Sequence, residues 1–352
     1  MSHSSPAPAH ASRLPPELWD SIIDIIAGER ESRTSLIRLT RVCRDFRPRA
    51  LAALLRELLF SHESVDCANP YSLLEIFDAF PGHYEGLPRK AELGCVEFFG
   101  RTLATRTMQL LPRLSRLEDL TIGDLQLSRD DLSTMSHWHF AAVTTLVLRG
   151  GDYDDVALDA FLGCFPELQS LSLATSIICV DGRDAPTQLP FTRCRLHLKL
   201  GGPYDDPVHG SMQWAIEHRE HFVLETLDFS AHEMLPDVMR ERLAMFSPEL
   251  RTLHVRLGSV PEQLAPSVFA ILRCRALTAL EVHDGRPRDA WNVMSAARVH
   301  GLAPTLASVI CRPMYYNPRR DEQDLRGLRE FLDDLQLGHW RVLHQGLEIE
   351  AQ

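Results

Sequence analysis

The sequence predicts an α/β protein in which a short helical module at the N-terminus is followed by a long body built from one recurring unit, its strands parallel in a curved sheet. Three observations carry this. Helical patterns follow one another in quick succession between Leu14 and Phe60. From Leu117 onward a phrase with apolar residues at its first, fourth and sixth places returns at nearly constant intervals, and the segments between phrases carry helical apolar spacing.

Pro15 and Pro16 open the first helix, because a fixed φ suits the first turn, and Glu17 places a negative charge where the helix N-terminus favours one. Its apolar face is wide. Leu18, Ile22, Ile25 and Ile26 follow helical spacing while Trp19 and Ile23 form a second stripe beside them, so one face can pack inward and another stay available. Gly28 ends this helix. Thr34 or Ser35 is a candidate cap for a second helix with Leu36, Leu39, Val42, Cys43 and Phe46 at spacings of three and four, and Pro48 starts a third carrying Leu51, Leu54, Leu55, Leu58 and Leu59.

This segment resembles an F-box. The family's opening Leu-Pro, acidic residue and paired aliphatic are matched by Leu14, Pro15, Glu17, Ile22 and Ile23, and its later Val-Cys-basic-x-aromatic signature by Val42, Cys43, Arg44 and Phe46. The wording LPPELWDSIID is similar to the F-box-like proteins numerous in mushroom-forming fungi. The resemblance implies docking to a Skp-type adaptor and, through it, to a cullin-RING ubiquitin ligase. It makes Leu14, Pro15, Pro16, Glu17, Leu18, Ile22, Ile23, Leu39, Val42, Cys43 and Phe46 either the adaptor-binding surface or its supporting core, two roles the pattern leaves undivided.

In the body the phrase falls at Leu117, Leu120, Ile122; Val143, Leu146, Leu148; Leu168, Leu171, Leu173; Leu224, Leu227, Phe229; Leu250, Leu253, Val255; and Leu277, Leu280, Val282. Successive first places lie 26, 25, 56, 26 and 27 residues apart. A degraded copy with Leu196 and Leu198 at the fourth and sixth places divides the long gap. A period in the twenties with this phrase resembles leucine-rich repeats, which implies short strands stacked into one shared core as a solenoid. The repeats are irregular, since Gly123, Arg149 and Ala174 follow the phrase where a regular repeat carries Asn or Cys.

Helical returns are expected over Val156 to Phe165, Pro236 to Phe246 and Pro261 to Leu272, with Pro166 and Pro248 as stops. A strand-like run at Cys95 to Phe99, a further strand at Leu306 to Ile310 and an amphipathic helix at Arg326 to Leu337 complete the reading. The expected organisation is a flexible tail over 1–12, the three-helix module over 13–62, a linker with a first degenerate repeat over 63–116, the repeating body over 117–345 and an exposed tail over 346–352.

Composition narrows the function classes. At 352 residues, 45% apolar and 24% charged, the chain has the makeup of a folded protein with a large core, and no apolar run reaches the roughly 20 residues that span a bilayer. Residues 1–12 lack the basic start and apolar stretch of a secretory signal, so the cytoplasm and/or nucleus is the expected compartment. Eight Cys stand singly, with no CxxC pair, which fits reduced thiols better than a disulfide or metal framework. Net charge is −11, but residues 1–60 carry nine Arg against seven acids, leaving −13 on residues 61–352. An acidic body disfavours nucleic acid and suits a basic protein partner.

Catalytic motifs are missing: there is no GxxxxGK[ST], GxGxxG after a strand, HExxH or GxSxG. His218 and His221 in HREH read as a solvated helical face better than as metal ligands, GGDYDD at 150–155 as an exposed loop, and Trp138 between His137 and His139 as a side chain packed at a repeat edge. The loops over 201–210 and 284–289 are where recognition is expected to vary. The sequence therefore points to a non-catalytic substrate receptor without cofactor, whose N-terminal module docks the adaptor and whose body binds an unknown protein substrate. The competing expectation is a repeat scaffold that binds protein with no ubiquitin-ligase link.

Overall fold

The computed structural model of the protein describes residues 15–27, 32–42, 46–60, 78, 82, 84–94, 111–179, 188–200, 208–230, 249–256, 276–283, 287–299, 306–312, 318–334, 340–344 and 347–350. The expected tail over 1–12, the strand-like run 95–99, the returns over 236–246 and 261–272, and the loop residues 201–207 and 284–286 lie outside them, as do Leu14 and Cys43.

Three helices open the chain: α1 (Pro16–Ala27), α2 (Ser32–Val42) and α3 (Arg47–Arg56). The third passes without a loop into β1 (Glu57–Phe60), so Leu58 and Leu59 lie in a strand and not in the helix their spacing suggested. The reason is tertiary. Leu58 is paired beside Ala91 and fully buried in the core of the body, a larger burial than one more helical turn offers.

Twelve described strands then form one sheet in sequence order, each parallel to its neighbours except the last. They are β1, β2 (Lys90–Leu93), β3 (Asp119–Gly123), β4 (Thr145–Asp154), β5 (Ser170–Ile178), β6 (Cys194–Leu200), β7 (Phe222–Ser230), β8 (Thr252–Arg256), β9 (Ala279–His283), β10 (Ser308–Arg312), β11 (Trp340–His344) and β12 (Leu347–Glu350). The last lies in the expected exposed tail, where it pairs antiparallel with β11 and covers that edge.

The phrase sets the register. Its fourth-place residues stand directly opposite one another as Leu120, Leu146, Leu171 and Leu196, and again as Leu227, Leu253, Leu280 and Val309. All eight are fully buried, and β3, β8, β9 and β10 alternate buried with part-exposed residues as a period of two requires. Between β6 and β7 the row steps: Leu196 faces Leu224, an irregularity follows, and Leu198 then faces Leu227. Glu225 is the extra residue, and it lets Leu224 and Leu227, three apart, both point into the core.

The two repeats expected within 63–116 and at 306–310 also follow the phrase, though the first has its strand at Lys90–Leu93, ahead of the run 95–99. Pro88, Ala91 and Leu93 take the first, fourth and sixth places at β2, where Pro and Ala hide the leucine signature, and Leu306, Val309 and Cys311 take them at β10. All six are buried.

The described helices of the body share the core with the inward strand residues. They are α4 (Leu132–Met135), α5 (Asp155–Leu162), α6 (Val208–Glu217), α7 (Pro287–Val299) and α8 (Pro318–Asp334). Phe161 of α5, Trp214 of α6, Met294 of α7 and Leu328 of α8 are fully buried in it. The segment 150–155 is not an exposed loop. Gly150 and Gly151, at φ of +65° and +76°, continue β4 through a register shift; a Cβ on Gly151 would lie 2.1 Å from the Leu125 carbonyl oxygen. Asp154 caps α5 by accepting from the backbone N–H groups of Val156 and Ala157, and Asp155 is buried.

Trp138 packs edge-on to Phe161, and Phe140 stacks on Phe165 at 4.5 Å between centroids, so this aromatic cluster is core at a repeat edge. No described helix is long and apolar enough to cross a membrane.

Leu146→Ala, Leu227→Ala and Leu253→Ala are each expected to destabilise the fold by about 2–5 kcal/mol through lost burial and a cavity. The outward neighbour Thr252→Ala is expected to stay within about 0.5 kcal/mol of wild type. Urea unfolding checks both, and equal effects at positions 252 and 253 would overturn the register.

Candidate docking site

Within the N-terminal module, Ile23, Leu36 and Ala50 form a small core of their own, with Ile26, Leu39, Phe46, Ala53 and Leu54 packed against it. Trp19 lies against Phe46 at 4.5 Å between ring centroids, which joins the start of α1 to the entry of α3. Arg49 grips Asp24 through two hydrogen bonds, Nε to Oδ1 at 3.1 Å and Nη2 to Oδ2 at 2.6 Å, and this contact raises the Arg49 pKa.

That packing divides the roles the sequence left joined. On α1, Ile23 is 1% exposed, whereas Leu18, Ile22 and Ile25 are 49, 37 and 67% exposed. The three are spaced by four and three residues and so share one side of the helix. Val42, at the end of α2, is 70% exposed. Pro15 and Glu17 are exposed as well, and Leu39 and Phe46 are half-buried supports. The side chain of Pro16 lies outside the description, as do Leu14 and Cys43. Ile25 lies outside the residues the resemblance singles out, and its place seven residues after Leu18 and three after Ile22 is the signal that finds it.

The second candidate surface is the sheet face opposite the leucines. Along β6 to β10, the residues after the fourth and sixth places point there: His197 and Lys199, Asp228, His254 and Arg256, Glu281 and His283, Ile310 and Arg312. None of those whose side chains are described is buried. Glu281 lies 3.0 Å from His283 Nε2 and 3.8 Å from His254 Nε2, Arg256 donates to Asp228 at 2.8 Å, and Glu225 sits 3.8 Å from both His197 and Arg251. Burial lowers the His197 pKa against the pull of Glu225. Sequence reasoning passed over this row because it searched for motifs contiguous in the chain, while the row is contiguous only across strands.

His218 and His221 are placed differently from the solvated face expected of them. His218 is buried. Its Nδ1–H donates to the Trp214 carbonyl at 3.0 Å, its Nε2 lies 3.2 Å from Asp159 Oδ2, and Trp214 Nε1–H donates to Asp159 Oδ1 at 2.8 Å. A carbonyl can only accept, so Nδ1 carries a proton, and the contact to Asp159 then needs a second proton on either the ring or the carboxyl. His221 Nδ1–H donates to the Phe191 carbonyl at 3.0 Å. The pair thus braces α6 against α5 and the turn at Phe191. Among the described residues, no three His, Cys, Asp or Glu side chains are grouped to hold a metal ion.

Four cysteines are described, all free. Burial pushes the thiols of Cys164 up to about 11 and of Cys194 and Cys311 up to about 12. Cys179 is exposed, yet desolvation, with Asp155 and Glu217 adding to it, pushes its thiol up to about 11. A cavity of about 580 Å³ between α7 and α8 is lined by Trp291, Glu322, Asp324, Arg326 and Glu330 among others, and its described lining brings together no nucleophile with a base.

The chain matches no protein-family model, and no curated protein matches it.

Removing one partner of the buried contact, as in Asp159→Leu or His218→Leu, is expected to cost about 3–5 kcal/mol by stranding the other. The double variant should recover part of that loss, and thermal unfolding of the three variants checks the coupling. Because the thiolate is the nucleophile, alkylation of Cys179 is expected to accelerate about tenfold per pH unit from pH 7 and not to level off below about 11; peptide mass spectrometry of timed samples measures it.

Proposed function

We propose that the protein is a non-catalytic, leucine-rich-repeat-like scaffold that binds another protein on its sheet. One observation carries this reading: twelve described strands run in sequence order, β1 to β10 bury aliphatic side chains in one core, and in β3, β6, β8, β9 and β10 the alternate residues stay part-exposed or exposed. An extended polar sheet, backed by a continuous core that fixes its geometry, suits recognition of a protein surface better than enclosure of a small substrate. The elements available for chemistry support the same reading. The described thiols have pKa values pushed well above neutrality, and the buried His218–Asp159 contact is shut away from solvent.

A second reading is favoured by the outward side of α1. Leu18, Ile22 and Ile25 expose an aliphatic stripe that the module's own core leaves uncovered, and these residues fall within the segment that resembles an F-box. On this reading the module docks a Skp-type adaptor and makes the scaffold the substrate receptor of a cullin-RING ubiquitin ligase. Exposed aliphatic side chains on so small a module are a marked cost in water unless a partner covers them.

One experiment separates the readings. If the module docks the adaptor, the full-length chain mixed with a Skp-type adaptor is expected to form a complex with submicromolar Kd, about −8 kcal/mol. Ile22→Glu should abolish it with the fold intact by circular dichroism, while Ile23→Ala should act by loosening the module. A folded wild-type chain with no complex at tens of micromolar leaves the scaffold without a ligase link. Proximity labelling in cells that recovers no partner for the full-length Ile22→Glu variant would overturn the scaffold reading itself.

A further inference from the structure

The face of β6 to β10 opposes the charge of the chain as a whole. The protein carries −11, and its acidic body predicts a basic partner. On this face, however, Glu225 lies 3.8 Å from Arg251 and from His197, Asp228 accepts from Arg256, and Glu281 lies between the rings of His254 and His283, so two of the three acids are matched by an arginine and the third is flanked by imidazoles. Arg195 and Lys199 on β6 and Arg312 on β10 remain, all exposed and with no acidic partner among the described residues. The earlier strands do not share the pattern. Lys90 pairs with Asp119 and Arg149 with Glu92, and β5 presents Ser170, Ser172 and Ala174, which carry no charge.

We propose that the outward face of β6–β10 takes an acidic, extended segment of a partner protein, its carboxylates meeting Arg195, Lys199 and Arg312. The distance suits such a segment: four strand spacings of roughly 4.8 Å place β6 and β10 about 19 Å apart, the reach of about six extended residues. Nucleic acid fits less well. A phosphate backbone brings a charge at every nucleotide and must pass over Glu225, Asp228 and Glu281, whereas a peptide can place carboxylates at the free cations and neutral residues over the acids. The proposal rests on the reading of the sheet as a protein-binding surface and does not depend on what the N-terminal module docks.

The test is fluorescence anisotropy with the full-length chain and three labelled probes: a peptide of about twelve residues alternating Glu and Ser, long enough to cross the five strands, the same peptide with Lys for Glu, and an oligothymidylate of matched length. The Glu peptide is expected to bind most tightly, and to weaken as salt rises from about 50 to about 300 mM. The triple variant Arg195→Ser, Lys199→Ser, Arg312→Ser should bind it roughly tenfold more weakly with an unchanged melting temperature, since all three side chains are exposed. Equal binding by the folded triple variant, tighter binding of the Lys peptide or of oligothymidylate, or no binding of the Glu peptide would overturn the proposal. Partners recovered by the full-length chain in the face of such a result would leave the scaffold reading standing and remove only the acidic segment.

Discussion

The structure depends on one constraint, the registered stacking of inward aliphatic side chains across parallel strands. Strands of five residues such as β3, β8 and β9 have too few contacts to persist alone, and each becomes stable only when the next places its own Leu at the same height. The row from Leu120 to Leu196 and the row from Leu227 to Val309 are therefore the framework on which the helices, turns and outward side chains are placed. Burial of each Leu contributes about 1.5–3 kcal/mol, and a slip of one residue would turn every one of them to the opposite face.

Where the repeat is irregular, local devices keep that framework continuous. Glu225 absorbs the offset between β6 and β7, Gly151 lets β4 pass close to the Leu125 carbonyl, and a Cβ on Gly210 would lie 1.7 Å from the Ile177 carbonyl oxygen, so only Gly lets α6 press this closely on β5. The same helix is locked from its other end by Trp214 and His218 on Asp159 of α5. Such a polar contact contributes less to stability than an apolar one of equal size, but it accepts one helix arrangement and penalises others that would strand its donors.

Binding capacity follows from the same division of faces. With the leucines committed to the core, the alternate positions are free to vary, and on β6 to β10 they hold an ordered set of Arg, Lys, His and acids whose spacing is fixed by the strands. On α1 the division is helical. Ile23 and Ile26 are drawn inward by Leu36 and Ala50, and that commitment leaves Leu18, Ile22 and Ile25 outside.

The sequence alone determined the positions of β3 to β10, their expected parallel order and the inward leucines, because a phrase recurring mostly every 25 to 27 residues lets each copy be read against the others. It determined the three helices at the N-terminus as well, through proline placement and apolar spacing, though not where the third one stops. Only the tertiary structure decided that Leu58 leaves the helix for the sheet and that Pro88, Ala91 and Leu93 fill a repeat position, since each is settled by a neighbour distant in sequence. It also decided which aliphatic residues of α1 support and which protrude, why His218 is buried when its HREH setting looks solvated, and which cations of the open face are left unmatched. The last two turn on pairings such as Asp228 with Arg256, 28 residues apart, and Asp159 with His218, 59 apart, and local sequence carries no record of them.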